Sequence, residues 1–105
     1  MSNELEQQFE SSWDEYLQTL VNMVAIPSIS FPGYSKEPLI EHATFLLHAL
    51  KKAGMQTVEI LEIENDNTFV PPYIFAEYFV SQECPTILLY AHYDVQPVGL
   101  SLIHI

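Results

Sequence analysis

Positive charge is nearly absent from this sequence. Its 105 residues include three lysines and no arginine against 14 aspartate and glutamate residues, for a formal net charge of −11 at pH 7. Such a balance repels phosphate backbones and anionic lipid headgroups, so neither a nucleic-acid partner nor a membrane-surface role is expected. The chain also lacks an apolar run of membrane-spanning length, so no membrane partner is expected.

Cysteine is represented only by Cys84, which precedes Pro85 in a predicted turn. A single cysteine excludes an internal disulfide and fits a reducing compartment. The first residues are acidic and show none of the basic and apolar regions of a secretory signal. We therefore expect a cytoplasmic protein.

The first half of the chain has the apolar spacing of two helices. Steps of three and four over residues 5–24 predict one long first helix, which Pro27 ends. Residues 27–36 contain two prolines and a glycine and are predicted to form a loop. A second helix is predicted to begin near Pro38 and to end at Gly54.

The second half contains three β-prone segments, residues 57–64, 73–80 and 86–90. The last is a short apolar run, the pattern of a central strand covered on both faces. Aromatic residues of the second segment are expected in the strand core, namely Phe75, Tyr78 and Phe79. The predicted fold class is α/β, an incomplete three-layer sandwich with two N-terminal helices followed by three strands of a mixed sheet.

His92 and Asp94 directly follow the third predicted strand. In open α/β sheets, ligands and reactive groups collect beyond the carboxyl ends of the strands. Residues i and i+2 of extended backbone point to the same side, so the Asp94 carboxylate can reach the His92 ring. A carboxylate so placed holds one ring N–H and leaves the other nitrogen for a metal ion. The spacing therefore predicts His92 as a metal ligand with Asp94 as its orienting partner.

The segment AHYDVQPVG, residues 91–99, resembles the first metal-binding motif of the co-catalytic zinc peptidases and deacylases. This family includes cytosolic and carnosine-type dipeptidases, aminoacylase, acetylornithine deacetylase, succinyl-diaminopimelate desuccinylase and glutamate carboxypeptidase. The upstream AIPSIS, residues 25–30, is similar to the segment that those enzymes place after their first helix. Gln96 makes the motif most similar to the dipeptidase branch, because deacylases more often carry another residue there.

The resemblance implies roles for two residues of this chain. His92 matches a ligand of one of two zinc ions, and Asp94 matches the acidic residue that hydrogen-bonds this histidine and is assigned a catalytic role. The other ligands and a glutamate general base lie further along the chain in this family. The implied reaction is hydrolysis of a dipeptide bond by a water bridged between the two zinc ions. The implied partners are a small peptide substrate and, in the complete enzyme, a second copy in a homodimer.

Two other functions stay open at this point. One is an N-acyl amino-acid deacylase of the same family, with an N-acyl amino acid as its substrate. The other is a non-enzymatic acidic α/β interaction domain, in which His92 and Asp94 are ordinary loop residues.

The resemblance also implies a division of the chain near Gly99. Residues 1–99 are expected to be the N-terminal part of a zinc-peptidase catalytic domain. LSLIHI, residues 100–105, does not resemble the continuation of the motif and is expected to be a non-native tail, which makes His104 foreign. Catalytic zinc takes three protein ligands, so the 105 residues are expected to be a truncated piece that binds zinc weakly, tends to aggregate and lacks activity.

The remaining histidines and two serines are assigned ordinary roles. His42 and His48 are six residues apart on the second predicted helix, so they cannot form an i, i+4 zinc pair and are expected at the surface or its boundary. Ser28 and Ser30 lack the flanking glycines of a nucleophile elbow and are expected to be loop or cap serines.

Overall fold

A computed structural model of the chain describes residues 2–66 and 68–98. Within these residues, three helices are followed by two strands. Their bounds are Ser2–Ser11 for α1, Trp13–Ala25 for α2, Glu37–Lys52 for α3, Thr57–Leu61 for β1 and Tyr73–Glu77 for β2. The described residues form a mixed α/β fold, which confirms the predicted class at that level. None of the described helices is long and apolar enough to span a bilayer.

The long first helix of the prediction is divided at Ser12, between α1 and α2. The Gln8 carbonyl oxygen accepts two hydrogen bonds there, from Ser11 Oγ and from the Ser12 N–H, both at 3.1 Å. Serine hydroxyls that bond back to the preceding turn compete with the helical ladder and bend helices. Ser12 has φ −104° and ψ 4°, outside the helical region. The prediction of helix is confirmed, and that of one continuous element is wrong.

The apolar face of α1 and α2 is open to solvent in the described part of the chain. None of the 13 residues of α2, all of them described, is buried. Phe9 of α1 and Trp13 of α2 pack on each other with ring centroids 5.5 Å apart. Lys52 Nζ lies 3.2 Å from Glu15 Oε1. Because both side chains are exposed, this ion pair contributes little to the stability of the fold.

α3 agrees with the prediction at both ends. Pro38 lies in its first turn. Beyond its end, Gly54 has φ +98°, a region that favours glycine, and its N–H donates to the Lys51 carbonyl at 3.1 Å. The buried residues of α3 are Leu39, His42 and Ala43. Their spacing places them on one face, which is the face that meets the rest of the fold.

β1 and β2 form a two-stranded antiparallel sheet, and α3 packs against both strands. Each strand is shorter than its predicted segment. The register pairs are Thr57 with Glu77, Val58 with Ala76, Glu59 with Phe75, Ile60 with Ile74 and Leu61 with Tyr73. Before the first pair, the Gln56 side-chain amide accepts from the Phe79 N–H at 2.9 Å and donates to the Phe79 carbonyl at 3.3 Å. This side chain continues the pairing where the ladder ends.

The predicted strand at 86–90 is not confirmed, because the structure has no strand there. Ile87, Leu88, Leu89 and Tyr90 are 80 to 88% exposed. A strand is stable only when a neighbour pairs with its N–H and C=O groups, and no described segment does so here. The described fold therefore has two strands, and it does not show the three-layer packing.

The aromatic residues expected in the strand core are exposed. Phe75 on β2 is 42% exposed, and Tyr78 and Phe79, which follow β2, are 60% and 54% exposed. On β2 the less exposed residues are Ile74 and Ala76, which alternate with Phe75. Because one helix covers a two-stranded sheet, only one face of the sheet is protected.

The buried residues surround the start of α3 and the loop that follows α2. Among the residues whose burial the structure describes, they are Ile26, Ser28, Leu39, His42, Ala43 and Pro72. Two of the six, Ser28 and His42, are polar. This small core lies directly against the chain segment that carries His92 and Asp94.

Candidate active site

The chain between Ala91 and Val95 is tied to two distant parts of the fold. The Val95 N–H donates to the Ser28 carbonyl at 2.9 Å. The Tyr93 hydroxyl donates to the Pro72 carbonyl at 2.7 Å. These two bonds join the segment to the loop after α2 and to the residue before β2.

The structure brings His92 and Asp94 together on one side of the backbone. His92 Nδ1 lies 2.9 Å from Asp94 Oδ1, in hydrogen-bonding contact. Because Asp94 accepts at Nδ1, the opposite ring nitrogen, Nε2, is the atom left for another ligand. The His92 side chain is 75% exposed, so that nitrogen is accessible from solvent. The contact follows the two-residue spacing, and the ligand role of His92 stays a prediction.

Asp94 is held by a second contact that the sequence did not indicate. Ser30 Oγ donates to Asp94 Oδ2 at 2.7 Å, so the two carboxylate oxygens have different donors. The Ser30 hydrogen bond is the main cause that lowers the pKa of Asp94 from 3.8, with further lowering from His92 and an opposing effect of burial. Asp94 is therefore ionised at neutral pH, which suits an acceptor of the imidazole N–H.

The pair lies in an open cavity of about 230 Å³. Its apolar wall comes from Leu39 of α3 and from the residues before β2. The lining residues are Ser30, Leu39, Val70, Pro71, Pro72, Tyr73, Tyr90, Ala91, His92, Tyr93 and Asp94. A larger groove of about 400 Å³ runs along residues 62–72, but the described residues that line it include no histidine or cysteine. The smaller cavity therefore combines apolar walls with the polar groups of a candidate site.

The donor set decides whether a zinc ion fits here. Catalytic zinc takes three protein ligands and a water molecule. Within residues 2–66 and 68–98, no group of three or more histidine, cysteine, aspartate or glutamate side chains is placed to hold a metal ion. His92 with Asp94 fits one ligand and its supporting carboxylate, and does not by itself make a zinc site.

His42 is buried, against the expectation of a surface or boundary position. Only 2% of it is exposed, and its Nδ1 lies 2.8 Å from the hydroxyl of Ser28, which is fully buried. The signal was present in the sequence, because His42 follows Leu39 by three residues and so shares its helical face. His48 is exposed, as expected.

Ser28 and Ser30 are loop residues, as expected, and the Ser28 N–H donates to the carbonyl of Ile26, the residue that caps the end of α2, at 2.7 Å. Ser28 points into the core toward His42, whereas Ser30 points to Asp94. Nothing in the local sequence indicates these partners, which lie 14 and 64 residues away.

Gly99, the proposed tail 100–105 and His104 lie outside the described residues.

Curated relatives were found in three yeasts. The chain is 29% identical to the Cys-Gly metallodipeptidase DUG1 of Candida albicans over 90 residues, 79% of this chain and 19% of that protein. It is 25% identical to DUG1 of Saccharomyces cerevisiae over 101 residues, 90% of this chain and 21% of that protein. It is 28% identical to dug1 of Schizosaccharomyces pombe over 91 residues, 83% of this chain and 19% of that protein.

Over most of its length the chain is similar to one part of these three metallodipeptidases. It spans about a fifth of the length of the curated relatives it matches. Their names indicate a metal-dependent hydrolase at the level of the family, in agreement with the resemblance of the 91–99 motif. No protein-family model matches the chain. No solved structure matches it.

Proposed function

We propose that this chain is part of a metal-dependent dipeptidase, with His92 as a metal ligand and Asp94 as the carboxylate that orients it. The observation that carries the proposal is the 2.9 Å contact between His92 Nδ1 and Asp94, which leaves Nε2 of a largely exposed side chain for another ligand. Similarity to three metallodipeptidases over most of this chain supports it.

Each described group has a defined task in this proposal. Asp94 accepts a hydrogen bond from the Nδ1–H of His92, so the neutral ring keeps a free electron pair on Nε2. Ser30 holds the other carboxylate oxygen, which limits rotation of Asp94 away from His92. Two bound zinc ions would supply the Lewis acidity and the activated water of an amide hydrolysis. The rest of the ligand set is proposed to come from outside the matched fifth of the enzyme.

The proposed substrate is a dipeptide. Cys-Gly is the first one to test, because it is the dipeptide in the names of the relatives. The cavity beside His92 is small and largely apolar, which suits a short substrate. None of its described lining residues is lysine or arginine, so a cation that binds a carboxylate of the substrate would have to come from another part of the enzyme.

The experiment uses the protein encoded by the reading frame that contains these residues, read past codon 99 and purified with zinc. We expect it to hydrolyse Cys-Gly faster than N-acetyl amino acids, the substrates of a deacylase. His92→Ala should lower bound zinc and turnover together. Asp94→Asn keeps the size of the side chain but weakens the hydrogen-bond acceptor. It should lower kcat while the fold stays nearly unchanged.

His48→Ala is the matched control, because His48 is an exposed histidine away from the cavity. It should leave zinc content and turnover unchanged. Full retention of zinc in His92→Ala would remove His92 from the ligand set. Faster hydrolysis of N-acetyl amino acids would favour the deacylase, and the absence of any hydrolysis would favour an interaction domain.

A further inference from the structure

Ser28 and His42 form a buried polar pair beneath the segment that carries His92 and Asp94. Their side chains meet at 2.8 Å, and the two residues are 0% and 2% exposed. Burial of polar groups is unfavourable unless they are hydrogen-bonded. His42 Nε2 has no partner among the described residues. An apolar residue at position 42 would avoid the burial of an unpaired nitrogen, so packing alone does not account for the histidine.

Ser28 contacts the chain on both sides of Asp94. Its carbonyl accepts the Val95 N–H at 2.9 Å, and its hydroxyl lies 3.4 Å from the Tyr93 carbonyl oxygen. The first of these is a well-formed hydrogen bond and the second is a long one. Two residues further along the same loop, Ser30 binds the Asp94 carboxylate. The loop after α2 therefore holds both the backbone around Asp94 and its side chain.

His42 reaches the same segment through its ring. It packs edge-on against the ring of Tyr93, with centroids 5.1 Å apart. The Tyr93 hydroxyl donates to the Pro72 carbonyl, so this side chain is held along its length. Tyr93 lies between His92 and Asp94, and neighbouring residues of extended backbone project to opposite sides. Fixing the Tyr93 ring between His42 and Pro72 therefore holds the backbone on both sides of it, where His92 and Asp94 line the cavity.

We propose that Ser28 and His42 are positioning residues, which hold segment 92–95 so that Asp94 faces His92 and the free ring nitrogen points to the metal. That a metal ion binds to His92 rests on the proposed function. The positioning itself is a property of the described residues. A merely structural role would lower stability but would not change the local state of His92.

Four variants of the 105-residue chain separate these roles, without metal. His42→Leu removes the polar ring, and Ser28→Ala removes the hydroxyl but keeps the ring. His42→Asn is the conservative variant, because its amide can replace Nδ1 as the partner of Ser28. His48→Leu is the matched control on an exposed site of the same helix.

Two NMR measurements report on the segment under conditions where each variant is folded by circular dichroism. One is the hydrogen-exchange rate of the Val95 amide, which donates to Ser28. The other is the ¹⁵N shift pair of the His92 ring, which shows whether Nδ1 carries the proton. In the parent chain we expect a protected Val95 amide and a His92 ring protonated at Nδ1.

In His42→Leu and Ser28→Ala, Val95 exchange should accelerate by roughly three- to tenfold, the range expected for one weakened hydrogen bond. The His92 ring should lose its preference for the proton at Nδ1. His42→Asn should restore most of both signals, and His48→Leu should change neither.

Parent-like Val95 exchange and His92 shifts in folded His42→Leu and Ser28→Ala would overturn the proposal. Failure of both variants to fold would also overturn it, since the pair would then stabilise the whole fold. In the longer protein, His42→Leu should lower kcat and leave KM unchanged. If that protein has no dipeptidase activity even with native Ser28 and His42, the proposed function fails, while the two NMR signals still decide the positioning.

Discussion

Residues 87–90 and 93–95 are close together in the chain, but the more apolar of the two stretches is the more exposed one. The first is wholly apolar, yet its side chains are 80 to 88% exposed. The second contains the charged Asp94, whose side chain is only 23% exposed. The difference lies in partners, because Ser28, Ser30 and Pro72 bond to the second stretch. Hydrophobicity supplies a driving force for burial, but only another part of the molecule can cover a residue.

The largest expected effect tests this comparison by replacing a buried leucine and an exposed leucine with alanine. Leu39 is 3% exposed and lines the cavity beside the second stretch, whereas Leu88 is 88% exposed. Leu39→Ala should lower the free energy of unfolding by about 3 kcal/mol, through lost burial and the cavity left behind. Leu88→Ala should change it by less than about 0.5 kcal/mol. Urea unfolding followed by circular dichroism measures both, and equal losses would contradict the comparison.

A smaller effect is expected from removing one hydroxyl on each side of Ala91. Tyr93→Phe deletes the donor to the Pro72 carbonyl and should lower the free energy of unfolding by about 1 kcal/mol. Tyr90→Phe is the matched control, since Tyr90 is 86% exposed, and it should leave that free energy unchanged. The same urea titration decides, and a comparable loss in Tyr90→Phe would show that the first stretch is covered in solution.

The smallest expected effect is the change in the free energy of unfolding when His42, beneath the second stretch, is protonated. Burial lowers the pKa of His42 from 6.5, while the charge of Glu41 raises it. Tyr93, whose ring faces His42, is neutral in this range, since burial, with the Asp94 charge, raises its pKa from 10.0. The folded state therefore binds this proton less readily than the unfolded chain. The resulting stability is complete above pH 6.5 and is lost progressively as the pH falls below that value.

Unfolding free energies between pH about 7.5 and pH about 5 measure this dependence. His42→Phe should remove the histidine contribution to the slope, and His48→Phe should retain it. Asp94 acts in a separate, more acidic window, because its pKa is lowered from 3.8 and its contribution is lost only below that value. An unchanged slope in His42→Phe would assign the dependence to other groups.

Prediction from sequence succeeded where the deciding signals are local. The apolar period and the positions of Pro38 and Gly54 predict α3, and those signals lie within one element. The contact between His92 and Asp94 spans two residues of extended backbone, so alternation alone predicts it. The break at Ser12 is local as well, but its cause is a bond from the Ser11 hydroxyl back to the Gln8 carbonyl, which apolar spacing does not register.

Prediction failed where strand formation, burial or a hydrogen bond depends on contact with a distant part of the chain. The run 86–90 has the composition of a central strand, and the described fold has no partner for it. The expectation of a surface or boundary position for His42 is wrong, because His42 shares a helical face with the buried Leu39. The Ser30 bond to Asp94 joins residues 64 positions apart, and nothing in either local sequence indicates the other.

By itself, the sequence determined the acidity of the chain, the helical and strand segments that form, and the placing of an imidazole beside a carboxylate. These properties arise from composition and from spacings of a few residues, over which backbone geometry is nearly constant. Only the tertiary structure decided that Ser30 holds Asp94, that Ser28 and His42 lie buried beneath it, and that residues 87–90 are exposed in the part of the chain that the structure describes. Such outcomes depend on contacts between distant segments, whose free energy exists only once the chain has brought them together.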